Sequence, residues 1–159
     1  MVFLPAADIP TFVGEGRVDL GITGFDQVQE HDAGVRGMSR TRRMSGELST
    51  EQSKPQGCET VMDLAFGGCK LQVQVPAHGT YEHGKDLVGK NIGTSFVHLA
   101  REYFAQLELE LEGAHTNGNG TEINLATRKL RTNIIELSGS VEAACALGVA
   151  DGIVDLVGK

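Results

Sequence analysis

No Ser/His/Asp or Cys/His set that would serve nucleophilic catalysis stands out in this sequence; what it offers are short runs suited to holding anions. Ser138-Gly139-Ser140-Val141-Glu142 places backbone N–H groups and two hydroxyls at the start of a helix. Unpaired donors and the positive dipole end favour a phosphate there, although the same run also reads as an ordinary helix cap. Asp151-Gly152-Ile153-Val154-Asp155-Leu156-Val157 sets carboxylates about a buried strand, where they can accept hydrogen bonds from ribose hydroxyls or help hold magnesium beside a phosphate. Asp151 fits equally well as a turn residue after Gly148. Asp155 lies within an apolar run and needs a partner, which a ligand can supply. Thr23-Gly24-Phe25-Asp26 follows a similar apolar segment, and a glycine there lets backbone approach a nucleotide or simply makes a turn. Thr94-Ser95 occupies the matching place in the second half, as a cap or a ligand contact, while His98 reads as a surface or packed residue.

Composition bounds what these runs can serve. A chain of 159 residues can form one core or two small lobes. Its 40% apolar and 22% charged residues are those of an ordinary soluble protein. No run of about 18 apolar residues is present to span a bilayer. The N-terminus, Met1-Val2-Phe3-Leu4-Pro5, lacks the basic and apolar regions of an export signal, so a cytoplasmic setting is the default. A net charge of -7 argues against a surface devoted to nucleic acid and leaves room for a local patch that holds small anions. Cys58, Cys69 and Cys145 cannot all pair, and none sits at zinc-ligand spacing, so they read as reduced thiols. Asn119-Gly120-Thr121 matches the glycosylation acceptor pattern but reads as a loop.

The elements that must position these residues follow from periodicity and punctuation. Residues 2–4 and 18–22 read as strands around a helix that Asp8 and Pro10 open and Gly14 and Gly16 close, with a second helix beginning near Asp26. Residues 36–57 are rich in Arg, Ser, Thr and Glu with few large apolar residues, which predicts a mobile insertion. Residues 60–66 and 70–75 flank Gly67-Gly68 as a hairpin would. The polar stretch 78–83 reads as a linker, giving a first lobe over 1–77 and a second over 78–159. In the second, residues 91–93 form a strand and 96–107 an amphipathic helix. Leu107, Leu109 and Leu111 alternate with Glu108, Glu110 and Glu112, a period of two that predicts a strand with a solvated acidic face. Residues 114–128 read as a loop insertion, 133–137 as a strand, 141–147 as a helix and 153–157 as a buried strand. Gly16-Arg17-Val18-Asp19 and Gly148-Val149-Ala150-Asp151 repeat one device, a glycine stop and an aspartate before a buried strand. Two α/β lobes built alike leave a cleft at the carboxyl ends of their strands.

Three separated, ordered stretches resemble the ATP phosphoribosyltransferase family, in wording nearest its fungal members. They are Val2-Phe3-Leu4-Pro5-Ala6-Ala7-Asp8-Ile9-Pro10 running on to Thr23-Gly24, then Gly68-Cys69-Lys70-Leu71-Gln72-Val73-Gln74-Val75-Pro76, and Ser138 through Val157. The resemblance implies a two-lobed, periplasmic-binding-protein-like (type II) α/β fold, incomplete at both ends. It implies attack of N1 of ATP on the anomeric carbon of phosphoribosyl pyrophosphate, with magnesium-bound pyrophosphate leaving, the first step of histidine biosynthesis. Glu142, Asp151, Asp155, Leu156 and Val157 would then line the phosphoribosyl pyrophosphate site, and Thr23, Gly24 and Asp26, with Thr94 and Ser95, would face ATP. Such a reaction relies on positioning and leaving-group stabilisation more than on acid-base groups. The family is typically a dimer or hexamer, with no nucleic acid or membrane partner. It also has a strand and a Lys-Gly-Arg segment ahead of Val2, a phosphate-holding loop continuing past Val157 and a returning strand, so this polypeptide alone is expected to be weakly active or inactive.

Two other classes fit parts of the same pattern. Asp86-Leu87-Val88-Gly89-Lys90-Asn91-Ile92-Gly93 also looks like a solute-binding module of the same fold, which would bind an amino acid or small ion. A non-catalytic fragment is the third.

Overall fold

The computed structural model describes residues 1–45, 56–113 and 128–158, with backbone alone for 39–45. They fall into two compact units, Met1–Gly68 and Cys69–Lys159; the division expected at 77/78 lies inside the second.

The second unit is organised by the apolar run near the C-terminus. Its strand β4 (Gly152–Gly158) pairs antiparallel with β1 (Cys69–Gln74) and parallel with β2 (Asn91–Thr94), and β2 pairs parallel with β3 (Asn133–Glu136), giving the order β1-β4-β2-β3. Successive strand residues point to opposite faces, and here both faces are covered, which is why the run is continuously apolar. Val154 joins Leu87, Ile92, Ala100, Phe104 and Leu107 on one face. Ile153 joins Val141, Ala144 and Ala150 on the other. Helix α3 (Val97–Leu111) supplies the first cluster and α4 (Ala143–Ala146) the second. Phe104 is fully buried, a side chain whose removal from water is worth about 1.5–3 kcal/mol.

Three expectations for this unit are corrected. Residues 107–111 are the last turns of α3, not a strand. The alternation of Leu and Glu is overridden because Glu108, four residues after Phe104, points into the protein and is fully buried. Its carboxylate accepts the Arg131 amide at 3.1 Å on each oxygen, the Thr132 amide at 2.9 Å and the Thr132 hydroxyl at 2.8 Å. That hydroxyl in turn accepts the Gly89 amide at 3.1 Å, so one carboxylate ties α3 to the segments leading into β2 and β3. Burial by itself pushes the Glu108 carboxyl up, but the Arg131 and Thr132 amides, the Thr132 hydroxyl and the Arg131 charge outweigh it and hold the group below its ordinary value. The second correction is that 60–66 form no hairpin with β1, whose partner is β4. The third is that the helix expected over 141–147 is the single turn α4, and that α3 begins at Val97 with Phe96 as its cap residue.

The first unit is helical. Pro10 sits in the first turn of α1 (Ile9–Gly14), where its missing N–H costs nothing. Helix α2 spans Phe25–Ser45. Residues 36–45, expected in a mobile insertion, therefore continue a helix. Arg and Met are good helix formers, and low apolar content alone misled the reading. Residues 46–55 and most of the second insertion, 114–127, lie outside the described residues. Residues 2–4 and 18–22 are not strands. Val2, Phe3, Leu20 and Ile22 are exposed, so the apolar pattern is present without a ladder partner. The repeated glycine device is therefore realised once. Gly16 (φ 70°) and Gly148 (φ 69°) both make left-handed stops, but a strand follows only the latter among the described residues. No described helix is long and apolar enough to cross a membrane.

Candidate functional site

Strand register decides which expected site residues meet. Thr94 of β2 lies opposite Val154 of β4 and Glu136 of β3. The segments emerging at the carboxyl edge of the parallel strands are therefore 95–96, 137–142 and the continuation of β4 from Asp155, which runs on beside β1 opposite Gln72. Strand alternation puts Asp155 on the face of Ile153, the one α4 covers. Asp155 is half-buried, and one of its oxygens accepts the Leu156 amide at 2.8 Å. Leu156 is half-buried and Val157 exposed.

The neighbouring turn carries the hydroxyls. Ser138, Gly139 and Ser140 are exposed, and neither serine side chain has a hydrogen-bond partner among the described residues. Ser140 holds a left-handed backbone (φ 48°), a conformation that L residues adopt at a cost. Glu142 is exposed and makes no side-chain cap bond. Because α4 is a single turn, the helix-dipole contribution expected at this place is small. Any anion here would be held by the turn's N–H groups and hydroxyls instead.

Thr94 and Ser95 divide their roles. Thr94 is fully buried; its hydroxyl donates to the Val154 carbonyl at 2.7 Å and accepts the Phe96 amide at 2.9 Å. That side chain is spent on fastening β2 to β4. Ser95, next along, is exposed at the edge.

Asp151 sits elsewhere. It precedes β4, and its carboxylate accepts the Asn91 amide at 3.0 Å and the Tyr81 hydroxyl at 3.1 Å. These bonds belong to the amino edge of the sheet, four residues or roughly 13 Å of strand from Asp155. Register thus sets Ser95, the 137–142 segment and Asp155 at the carboxyl edge of the parallel strands, with Leu156 and Val157 continuing along β1, and Asp151 at the amino edge. In the first unit, Thr23 donates to the Ala6 carbonyl at 2.8 Å, and Asp26, in the first turn of α2, accepts from the Gln27 side-chain amide at 2.7 Å. A Cβ at Gly24 would meet the Asp26 carboxylate, which would have to turn aside to admit it.

Glu108, expected on a solvated acidic face, is instead a buried structural carboxylate. The available signal was its place on the helical face of Ala100, Phe104 and Leu107, which the stronger local alternation masked.

The second unit, a mixed α/β sheet with β2 parallel to β3 and β4, belongs to the broad class of open α/β folds, whose ligands sit outside the carboxyl ends of the strands. Within it, the family model described as HisG, ATP phosphoribosyltransferase, matches residues 5–159, and the chain belongs to that family. The ATP phosphoribosyltransferase of Yarrowia lipolytica is 50% identical over 157 residues, covering 99% of this chain and 40% of its own length. That of Saccharomyces cerevisiae is 48% identical over 157 residues, again 99% and 40%. The Schizosaccharomyces pombe protein is 46% identical over 159 residues, 99% and 42%. This chain thus spans about two fifths of the curated relatives it matches. Among solved structures, the ATP phosphoribosyl transferase (HisG:HisZ) complex from Thermotoga maritima superposes with a TM-score of 0.59 at 20% identity, covering 98% of this chain and 53% of that one. At that identity the likeness speaks for fold.

Proposed function

We propose that this chain carries part of the substrate cleft of an ATP phosphoribosyltransferase, joining N1 of ATP to the anomeric carbon of phosphoribosyl pyrophosphate with release of pyrophosphate, in the cytoplasm. The observation that carries the reading is the carboxyl-edge group: exposed Ser138 and Ser140 in the turn after β3, without side-chain hydrogen bonds among the described residues, and the half-buried Asp155 where β4 runs on past β2, in a chain of that family. The turn 138–142 would take a phosphate of phosphoribosyl pyrophosphate, Asp155, Leu156 and Val157 its ribose, and Ser95 would lie alongside. Thr94 and Asp151 would act by positioning, since the fold already uses their polar atoms. Thr23, Gly24 and Asp26, in the first unit, would contact ATP, in a fold of the two-lobed, type II periplasmic-binding-protein-like kind.

Magnesium fits this donor set. It is a hard cation held by one or two carboxylates together with substrate phosphates. Asp155 has one oxygen engaged by the Leu156 amide and a second that can serve; Asp151 has both oxygens engaged. When bound, the ion would offset charge on the pyrophosphate. The protein's own part is to hold the ribose and phosphate in line with the nucleotide and to supply fixed N–H and O–H donors. The two-component Thermotoga assembly supports a catalytic unit that works as an oligomer.

Calorimetric titration of the 159-residue chain with phosphoribosyl pyrophosphate and magnesium tests the reading. Saturable binding is expected, weakened about tenfold or more by Asp155→Asn, the loss of one hydrogen bond to a charged group. Binding of free amino acids with none of phosphoribosyl pyrophosphate would replace it with a solute-binding module.

A further inference from the structure

Away from the sheet, three metal-ligating side chains of different chemistry converge in the first unit. His31 and Asp32 lie on α2, and Cys58 follows 26 residues after Asp32, a separation that hides the group in the sequence. A His31 ring nitrogen, an Asp32 carboxylate oxygen and the Cys58 sulfur all lie within 4.8 Å of one another, and all three residues are half-buried. The cluster is held from several sides. Asp32 accepts the Cys58 amide at 3.1 Å, the Cys58 thiol donates to the Pro10 carbonyl at 3.2 Å, and His31 Nε2 lies 3.3 Å from the Gln56 carbonyl oxygen. Two glycines make the room. A Cβ at Gly14 would collide with the Gln56 carbonyl and lie 2.9 Å from His31 Nε2, and one at Gly57 would lie 3.0 Å from the Asp32 carboxylate.

We propose that His31, Asp32 and Cys58 form a zinc site, with the Gln56 carbonyl or a water completing four ligands. A tetrahedral zinc bonds sulfur at about 2.3 Å and nitrogen or oxygen at about 2.0 Å, which sets its ligand atoms roughly 3.3–3.5 Å apart. Closing the present triangle to that size takes side-chain shifts of about 1 Å or so, a rotamer adjustment. A thiolate in the set selects zinc over magnesium, so this site is chemically distinct from the carboxyl-edge group. On binding, the thiol gives its proton to solvent and the sulfur lone pair forms the metal bond, releasing the Pro10 carbonyl. The ion would pin residues 56–58 against α1 and α2, in a unit without a sheet among its described residues.

Cobalt(II), which takes the same geometry with visible bands, is the probe. Metal-stripped 159-residue chain titrated with cobalt(II) should develop tetrahedral ligand-field bands and a thiolate-to-cobalt charge-transfer band, both bleached by one equivalent of zinc. Cys69→Ser/Cys145→Ala, which leaves Cys58 as the sole thiol, should keep the charge-transfer band, and Cys58→Ser should lose it. Asp32→Asn should weaken zinc binding by more than about tenfold, because even an outer-shell partner contributes ten- to a hundredfold. The double variant showing no charge-transfer band, or Cys58→Ser retaining one, would overturn the assignment, and the first of these readouts stands even where Cys58→Ser does not fold.

Discussion

Replacing Glu108 by glutamine changes one oxygen to an amide group at a site where that oxygen is spoken for. The carboxylate takes four hydrogen bonds, at 2.8–3.1 Å, from Arg131 and Thr132. Hydrogen bonds to a charged group contribute about 1.5–3 kcal/mol each. Glutamine can set its carbonyl at the Oε1 position and keep three of the bonds in weaker, neutral form, losing the Arg131 amide's bond to Oε2. Its NH2 then faces the Arg131 N–H, donor against donor. We expect a loss of about 3 kcal/mol, one strong bond plus the partial weakening of the others. At about 2–4 °C per kcal/mol for a chain of this length, that is a fall in Tm of roughly 6–12 °C. Thermal and urea unfolding followed by far-ultraviolet circular dichroism would measure it. The sign with pH is also fixed. Glu108 titrates lower folded than unfolded, so its contribution is complete above the unfolded value and is lost as pH falls through the folded one. The gap between wild type and Glu108→Gln should therefore be flat near neutrality and close in acid below the ordinary glutamate range. A gap under about 0.5 kcal/mol at neutral pH, the size of an ordinary surface substitution, or one that widens in acid, would refute this account of the carboxylate.

Two further outcomes follow from packing and charge. Gly93→Ala places a Cβ 2.9 Å from Leu137 Cδ1, 3.4 Å from the Ala144 Cβ and 3.5 Å from the Ala150 Cβ; overpacking of this kind costs about 1–3 kcal/mol, measurable as a lower urea midpoint. Cys145 is pushed up by burial and then by the Asp151 carboxylate. Asp151→Asn should consequently move the midpoint of its thiol alkylation rate to lower pH, and an unchanged midpoint would remove Asp151 as a cause.

Legibility in the sequence tracked how local the deciding interaction is. The β4 run was readable because two-faced burial leaves a stretch apolar but for Asp155, and the starts and stops at Pro10, Gly16 and Gly148 were readable because each acts within one turn. Glu108 was not, since its partners lie 23 and 24 residues away and the Leu/Glu alternation masks its place on the buried face of α3. Thr94 and Asp151 were singled out for chemistry on position alone; their hydroxyl and carboxylate are consumed by Val154, Phe96, Tyr81 and Asn91, which only the strand register reveals. Asp155 and the serine turn were chosen by the same logic; Asp155 lies where β4 passes the end of its pairing with β2, and the turn follows β3, so both sit past the carboxyl end of the parallel ladders.

The strand order has a consequence for how the second unit is made. Of the four described strands β4 comes last in sequence, and it lies between β1 and β2, which have no shared partner until it arrives. Translation at about 5–20 residues per second puts roughly 3–13 s between Thr94 and Gly158. For that interval Ile92, Phe104 and Leu107 have lost neither their apolar character nor gained their cover, and the open edge of β2 stands where β4 will insert. Until β4 is made, an unpaired strand edge and uncovered apolar side chains stand together, the combination that makes a partly folded chain prone to associate.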